Sequence, residues 1–174
     1  YFVKAVKLKK PRIFVAENVK GLLTANKGAA VKTITEDFAR IGYKVSVDLY
    51  NFADYGVPQI RQRIFIVGVR NDVNWEFTKP EPTHAKEKYV SAGKALVGVK
   101  KVKLNNEHQN IAEKTKKMLN MIPEGGNFSD IPKDHPLYVK GMISHVYRRL
   151  HRSKPSTTII AGGGGGTWGY HYEE

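Results

Sequence analysis

The sequence predicts an α/β chain: the distal part of a doubly wound sheet over residues 1–75, followed by a small, loop-rich, mixed α+β domain over residues 76–174. Three observations carry this expectation. Up to Trp75, short apolar stretches of strand length are separated by one amphipathic stretch of helical length. Beyond Trp75 the chain is broken by Pro80, Pro82, "NN", "EGGNFSD", "IPKDHP" and "AGGGGG". And 174 residues with 41% apolar content suffice for one ordinary domain or two small ones with a real core.

The opening "YFVKAVKLKKP" reads as the end of a helix leading into a strand. "RIFVAEN" (Arg12 to Asn18) is that strand, apolar and ending in polar residues. In "AAVKTITEDFARIG", Val31, Ile34, Phe38 and Ile41 share one helical face, and Gly42 stands where a helix stop belongs. "YKVSVDLYN" alternates as a strand, and "RIFIVGVR" is a near-continuous apolar run of the kind buried on both faces. Strands separated by a helix imply a parallel sheet with right-handed connections. In the second half, "HQNIAEKTKKMLNMI" suits a helix with Ile111, Met118 and Ile122 roughly aligned, and "YVKGMISHVYRRL" and "STTIIAG" suit strands. There is no internal repeat, and Gly162 to Gly166 form the only low-complexity tract.

Lysine and arginine number 29 against 16 aspartates and glutamates, a net charge of +13. That excess exceeds what solubility needs and points to a polyanion, nucleic acid first and an anionic membrane surface second. No apolar run approaches the ~20 residues of a membrane span. With no cysteine, disulfides are excluded, and a reduced cytosolic setting is compatible. The start at Tyr1 rather than methionine suggests an excised piece or a truncated numbering.

Several clusters have two readings each. Glu17 and Asn18 end a strand, where open α/β sheets place ligands; Glu17 suits a carboxylate that bonds a base edge or serves as an acid, and equally a helix cap or solvated loop residue. Arg61 and Arg63, two apart before the apolar run, suit a rigid pair for a phosphate or ligand oxygen, or an exposed strand end. The five glycines lack the lysine and hydroxyl residue that follow in a phosphate-binding loop, since Thr167 and Trp168 come next, so a plain loop is the better reading. Six histidines without paired metal spacing, and no cysteine, argue against a zinc site. "YRRLHRSKP" (Tyr147 to Pro155) packs five arginine, lysine or histidine residues into nine positions, as a nucleic-acid contact strip or a solvated face would.

Together these pieces become specific. "FVAENVKGLL", then 42 positions from Glu17 to Gln59, then "DYGVPQIRQRIFIVGVR", resembles the DNA cytosine-5 methyltransferase family. The first stretch resembles its ENV motif and the second its QxRxR motif (Gln59, Arg61 and Arg63). "MIPEGGNFSDIP" and "YRRLHRSKPSTTIIAGGGG" resemble the target-recognition region of bacterial, restriction-modification members. The resemblance implies a Rossmann-like methyltransferase sheet, methyl transfer from S-adenosylmethionine to carbon 5 of a flipped cytosine in duplex DNA, and a bacterial cytoplasmic setting. It assigns Glu17 to ring nitrogen 3 and the exocyclic amine of that cytosine, and Arg63 to its ring oxygen. Arg61 would go to a flanking phosphate or the catalytic loop, and Asn18 to shaping the turn that presents Glu17. Gln59, Arg148, Arg149, Arg152, Lys154, Ser156 and Thr158 become candidate DNA contacts.

The departures are as informative. The family's nucleophile is the cysteine of a Pro-Cys loop, and its cofactor strand carries FxGxG; this chain has neither. The segment that normally follows the recognition region is also missing; the chain stops at "GYHYEE". The expectation is therefore an internal piece, inactive alone, that binds duplex DNA with a steep salt dependence and self-associates through an exposed sheet edge. No residue is assigned to the cofactor and no metal is expected. Two other readings stay open: a DNA-binding subunit of a split enzyme, and an RNA-directed relative.

Overall fold

The computed structural model describes residues 1–104, 111–138, 140–141 and 146–159. The chain forms two compact units, one of residues 1–55 with 61–83 and the other of residues 56–60 with 84–174. The prolines at 80 and 82 therefore go with the first unit, and "GVPQI" (56–60) with the second.

The first unit begins with helix α1 (Phe2–Lys9), which stops where Lys10 turns left-handed at φ 46°. Strand β1 (Ile13–Val19) follows, then helix α2 (Ala29–Arg40) and strand β2 (Tyr43–Asn51). Helix α2 ends as its sequence dictates: the Gly42 amide donates to the Ala39 carbonyl from φ +89°, a conformation that side chains disfavour. A short turn (Phe52–Tyr55) leads on, and strand β3 (Gln62–Arg70) returns. Val6, Phe14, Phe38, Tyr43 and Ile66 form the core under the two helices. Phe14 and Phe38 have ring centroids 4.3 Å apart. Phe14 also explains a glycine in the middle of β3: a Cβ on Gly68, its cross-strand partner, would lie 2.0 Å from the Phe14 ring.

The sheet order is β1-β3-β2, and both pairings are antiparallel. This corrects the expectation of a parallel sheet. β1 and β2 do run the same way with α2 between them, but β3 inserts itself between them and runs against both. The physical reason is the length of the β2–β3 connection: residues 52–61 contain no crossover helix, so the chain can only fold back on itself. The expectation for β3 itself holds, with Ile64, Ile66, Val67, Gly68 and Val69 all buried in the central strand. β1 and β2 are the edge strands of this sheet, and Ile13, Val15 and Val19 on one face of β1 are exposed.

The second unit has little regular structure. Helix α3 (Ala92–Leu96) is short, and helix α4 (Glu113–Met121) carries Met118 and Leu119 inward to Ile122, Phe128 and Ile131. Ile111, expected on that helix face, precedes α4 and is exposed. Tyr138 stacks on Phe128 with ring centroids 5.3 Å apart. The turn at Phe128–Asp130 is closed by a reciprocal cap: the Ser129 amide donates to Asn127 Oδ1 (2.9 Å) and the Asn127 amide to Asp130 Oδ2 (2.7 Å). Of the two strands expected in 138–150 and 156–162, the described residues form isolated bridges only; residues 139, 142–145 and 160–162 lie outside the described residues, as does the run Gly162 to Gly166.

Candidate functional site

Glu17 and Arg63 meet in the first unit. In the β1–β3 register Glu17 stands opposite Phe65 and Val19 opposite Arg63, so the two charged side chains are diagonal neighbours on one face. Arg63 Nε lies 2.7 Å from Glu17 Oε1, and Arg63 Nη1 donates to the Gln62 carbonyl at 2.8 Å. The guanidinium is thus fixed at two points and its side chain is only 16% exposed, whereas the Glu17 side chain remains 47% exposed. An exposed carboxylate oriented by a half-buried guanidinium offers acceptors and donors side by side. That is the complement of a heterocycle edge carrying an amine, a ring nitrogen and a carbonyl oxygen.

The surroundings hold this pair in place. Asn18 Oδ1 accepts from the Val19 amide (2.8 Å), a bond to the adjoining backbone that fixes the end of β1. Lys20 Nζ donates to Gln62 Oε1 (3.1 Å), tying the residue after β1 to the start of β3. Tyr50 lies opposite Arg63 on the other side of β3, with Lys79 Nζ 5.0 Å above its ring. Burial first, then the nearby Asp48 carboxylate and Tyr55 phenol, raise the Tyr50 hydroxyl above the usual phenol range, so it is a proton donor at neutral pH. Sequence reasoning missed Lys20, Tyr50 and Lys79, because each gains its position only through register or a returning loop. Arg61 is half-buried and its carbonyl accepts from the Phe52 amide at 2.9 Å.

The remaining candidates belong to the second unit, and the fold separates them into two kinds. Ser156 is buried; its amide and Oγ both donate to the Pro58 carbonyl (2.9 and 3.1 Å), and its own carbonyl accepts from the Ile60 amide (2.8 Å). Thr158 Oγ1 donates to the Ile60 carbonyl at 3.0 Å. Gln59 bridges Ser156 in parallel. Both hydroxyls therefore clamp the 58–60 segment. Arg149 reaches back to the end of α4, where Nη1 donates to the carbonyls of Ile122 (2.7 Å) and Leu119 (3.4 Å), a cationic cap on the helix C-terminus. Arg152 Nε pairs with Glu124 Oε1 at 2.6 Å, and its amide donates to Glu124 Oε2 at 3.3 Å. Burial raises the Glu124 carboxyl, but the Arg152 hydrogen bonds and the charges of Arg152 and His151 outweigh it, leaving the group below the usual glutamate range.

Arg148 and Lys154 are different. Neither side chain has a hydrogen-bond or ion-pair partner among the described residues, and both line a cavity of about 300 Å³ together with Arg149, His151, Ser156 and Thr157. The loop that carries them is tied down on both sides. The Gly125 amide bonds the Leu150 carbonyl and the Arg149 amide the Gly126 carbonyl; the amides of Ala92 and Gly93 bond the carbonyls of Lys154 and Arg152. Gly93 is required there, since a Cβ would lie 2.5 Å from the Arg152 carbonyl oxygen.

For a cofactor, the first unit offers a concavity beside Glu17 lined by Val15, Leu22, Ile34 and Phe38. It has no glycine turn and no carboxylate other than Glu17, so it does not fit the ribose and amino-acid ends of S-adenosylmethionine. Among the described residues no cluster of three histidines or carboxylates could hold a metal, and no helix is long and apolar enough to cross a membrane.

Comparison with known proteins adds the family context. Residues 1–170 match the profile of the C-5 cytosine-specific DNA methylases. The chain is 59% identical over 179 aligned residues to the Type II methyltransferase M.NgoFVII of Neisseria gonorrhoeae, covering 99% of this chain and 48% of that one. It is 47% identical to M.BbvI of Brevibacillus brevis, over 100% of this chain and 48% of the relative. The chain thus spans about half the length of these relatives. Among solved structures, an E. coli prophage-encoded chain described as a DNA modification methyltransferase superimposes with a TM-score of 0.64 at 15% identity, covering 91% of this chain and 55% of that one, which supports the fold.

Proposed function

Because the chain belongs to the C-5 cytosine-specific DNA methylase family, we propose that it forms part of a Type II, restriction-modification DNA methyltransferase that modifies carbon 5 of cytosine in duplex DNA. Within that enzyme it supplies one wall of the pocket for a flipped base, together with the DNA recognition surface. The observation that carries this reading is the Glu17–Arg63 pair, a carboxylate and a guanidinium 2.7 Å apart on adjacent strands. A proton held between Glu17 and ring nitrogen 3 joins the two, Glu17 accepts from the exocyclic amine of the cytosine, and together these bonds stabilise the charge that develops when a thiolate adds to carbon 6. Arg63 orients Glu17 and reaches the ring oxygen. Asn18 and the Lys20–Gln62 bond keep the two strand ends in register beneath the base. The methyl group comes from S-adenosylmethionine, and the thiolate comes from outside these 174 residues, which contain no cysteine.

In the second unit, Arg148 and Lys154 contact DNA, while Arg149, Ser156 and Thr158 hold the recognition loop in shape. The division into a catalytic part and a recognition part near residue 75, and the bacterial cytoplasmic setting, belong to this same proposal. The test is reconstitution: the chain fused behind a segment that carries a nucleophilic cysteine and the cofactor strand, with tritiated methyl transfer to duplex DNA as the readout. Glu17→Gln should lower transfer by a factor on the order of 10²–10³, as loss of one preorganised charge-stabilising group does. Wild-type transfer by Glu17→Gln would remove the carboxylate from the pocket, and preferential methylation of folded RNA would overturn the DNA reading.

A further inference from the structure

His151 lies in the middle of the loop that carries Arg148 and Lys154. Its ring packs on Gly125, where a Cβ would lie 3.1 Å from Cδ2, so the ring plane is fixed against backbone. Its Nδ1 accepts the Ser153 amide proton at 3.1 Å. With Nδ1 occupied as an acceptor, Nε2 is left as the ring's donor. The Glu124 carboxylate is 4.0 Å from Nδ1 and is already engaged by the guanidinium and amide of Arg152. The ring's remaining polar atom is thus an N–H donor, on a residue that lines the same cavity as Arg148 and Lys154.

We infer that His151 is a specificity-determining residue: an Nε2–H donor, on the loop that carries Arg148 and Lys154, that bonds an acceptor atom on a base edge in the groove. The inference rests on the reading of the second unit as a DNA-recognition surface and sharpens it. Cations bind phosphates whatever the sequence, so Arg148 and Lys154 alone supply affinity with little discrimination. A single fixed N–H donor adds little to non-specific affinity and is rewarded only where an acceptor faces it, as guanine N7 and O6 or adenine N7 do in the major groove. Phosphate oxygen is an acceptor too, and the salt dependence separates the two sources.

Two substitutions isolate the donor. His151→Asn keeps an acceptor near Nδ1 for the Ser153 amide but has nothing at Nε2; His151→Gln keeps a donor near Nε2. Duplexes are first selected from a randomised pool with the unaltered chain, and affinities for a selected and a scrambled duplex are then measured across a salt series above about pH 8, where an ordinary imidazole is uncharged. The expected result is that His151→Asn loses on the order of tenfold in the selected-to-scrambled ratio, within the range of a lost base contact. The slope of log affinity against log salt stays the same, and His151→Gln retains most of the ratio. A ratio unchanged in His151→Asn overturns the inference, as does an equal loss in both variants, which would make the histidine a loop-shaping residue. Uniform weakening on both duplexes with no change in their ratio assigns the donor to phosphate and overturns base reading. An unaltered chain that binds no duplex at all would instead fail the underlying DNA-recognition reading, which keeps the two failures distinct.

Discussion

The two units satisfy their backbones in opposite ways. In the first, three strands of seven to nine residues pair along their whole length, so the ladder itself meets nearly every amide and carbonyl of β3. In the second, the described backbone is held by scattered devices: a capping box at Asn127, an arginine on the end of α4, a carboxylate on the Arg152 amide, and a serine that bonds the Pro58 carbonyl twice. A ladder tolerates change in any one side chain, because its bonds are main chain to main chain. A surface held by single side chains does not, but it can present irregular loops, which is what a recognition surface requires. The lesson is that polar side chains in such a loop region divide between holding the loop and facing outward, and residue type alone does not say which.

The largest effect should come from the core of the second unit. Phe128→Ala removes a fully buried ring from a small cluster and should cost about 4 kcal/mol. Hydrogen exchange should then show lost protection at the amides of Gly125 and Arg149, with β3 little changed; equal loss in both units would break the contrast. Next is Gly68→Ala, where overpacking against Phe14 should cost about 3 kcal/mol, read by urea unfolding and by exchange in β3.

A smaller and more diagnostic contrast lies between adjacent arginines. Arg149→Ala leaves the Ile122 carbonyl without its charged donor and should destabilise the second unit by about 2 kcal/mol. Its salt slope for DNA should not move. Arg148→Ala should do the reverse, with stability within about 0.5 kcal/mol and a salt slope reduced by about one. If both variants change slope alike, the division into holding and contacting residues is wrong. The smallest effect is the pH response of Glu124. A carboxyl held below its usual range adds stability above that range and loses it as pH falls through the depressed value, so Glu124→Gln should flatten the acid side of the stability profile below about pH 4.3. An acid limb identical to that of the unaltered chain would show that Arg152 gives Glu124 no net stabilisation.

Much of the first unit was legible in the sequence. The face of Val31, Ile34, Phe38 and Ile41 gave helix α2, the Gly42 stop gave its end, and Tyr43–Asn51 alternates along its whole length. These are local signals, because periodicity and turn chemistry act within a few residues. The same reading expected the wrong strand pairing, since nothing within "YKVSVDLYN" or "RIFIVGVR" states which neighbour each strand takes. In the second unit, the cationic strip of Tyr147 to Pro155 was visible as charge, but not that Arg149 and Arg152 turn to carbonyls and a carboxylate.

By itself the sequence determined the family, through Glu17–Asn18–Val19 and Gln59, Arg61 and Arg63 at a fixed separation, together with the helix and strand types of the first unit and the basic character of the whole. The tertiary structure alone decided that β3 runs between β1 and β2, that Arg63 meets Glu17 at 2.7 Å, and that Ser156 and Thr158 clamp a segment 98 residues away. The reason is that composition and periodicity are properties of neighbours in the chain. A hydrogen bond across 98 residues exists only once loop closure and burial have brought its two partners together.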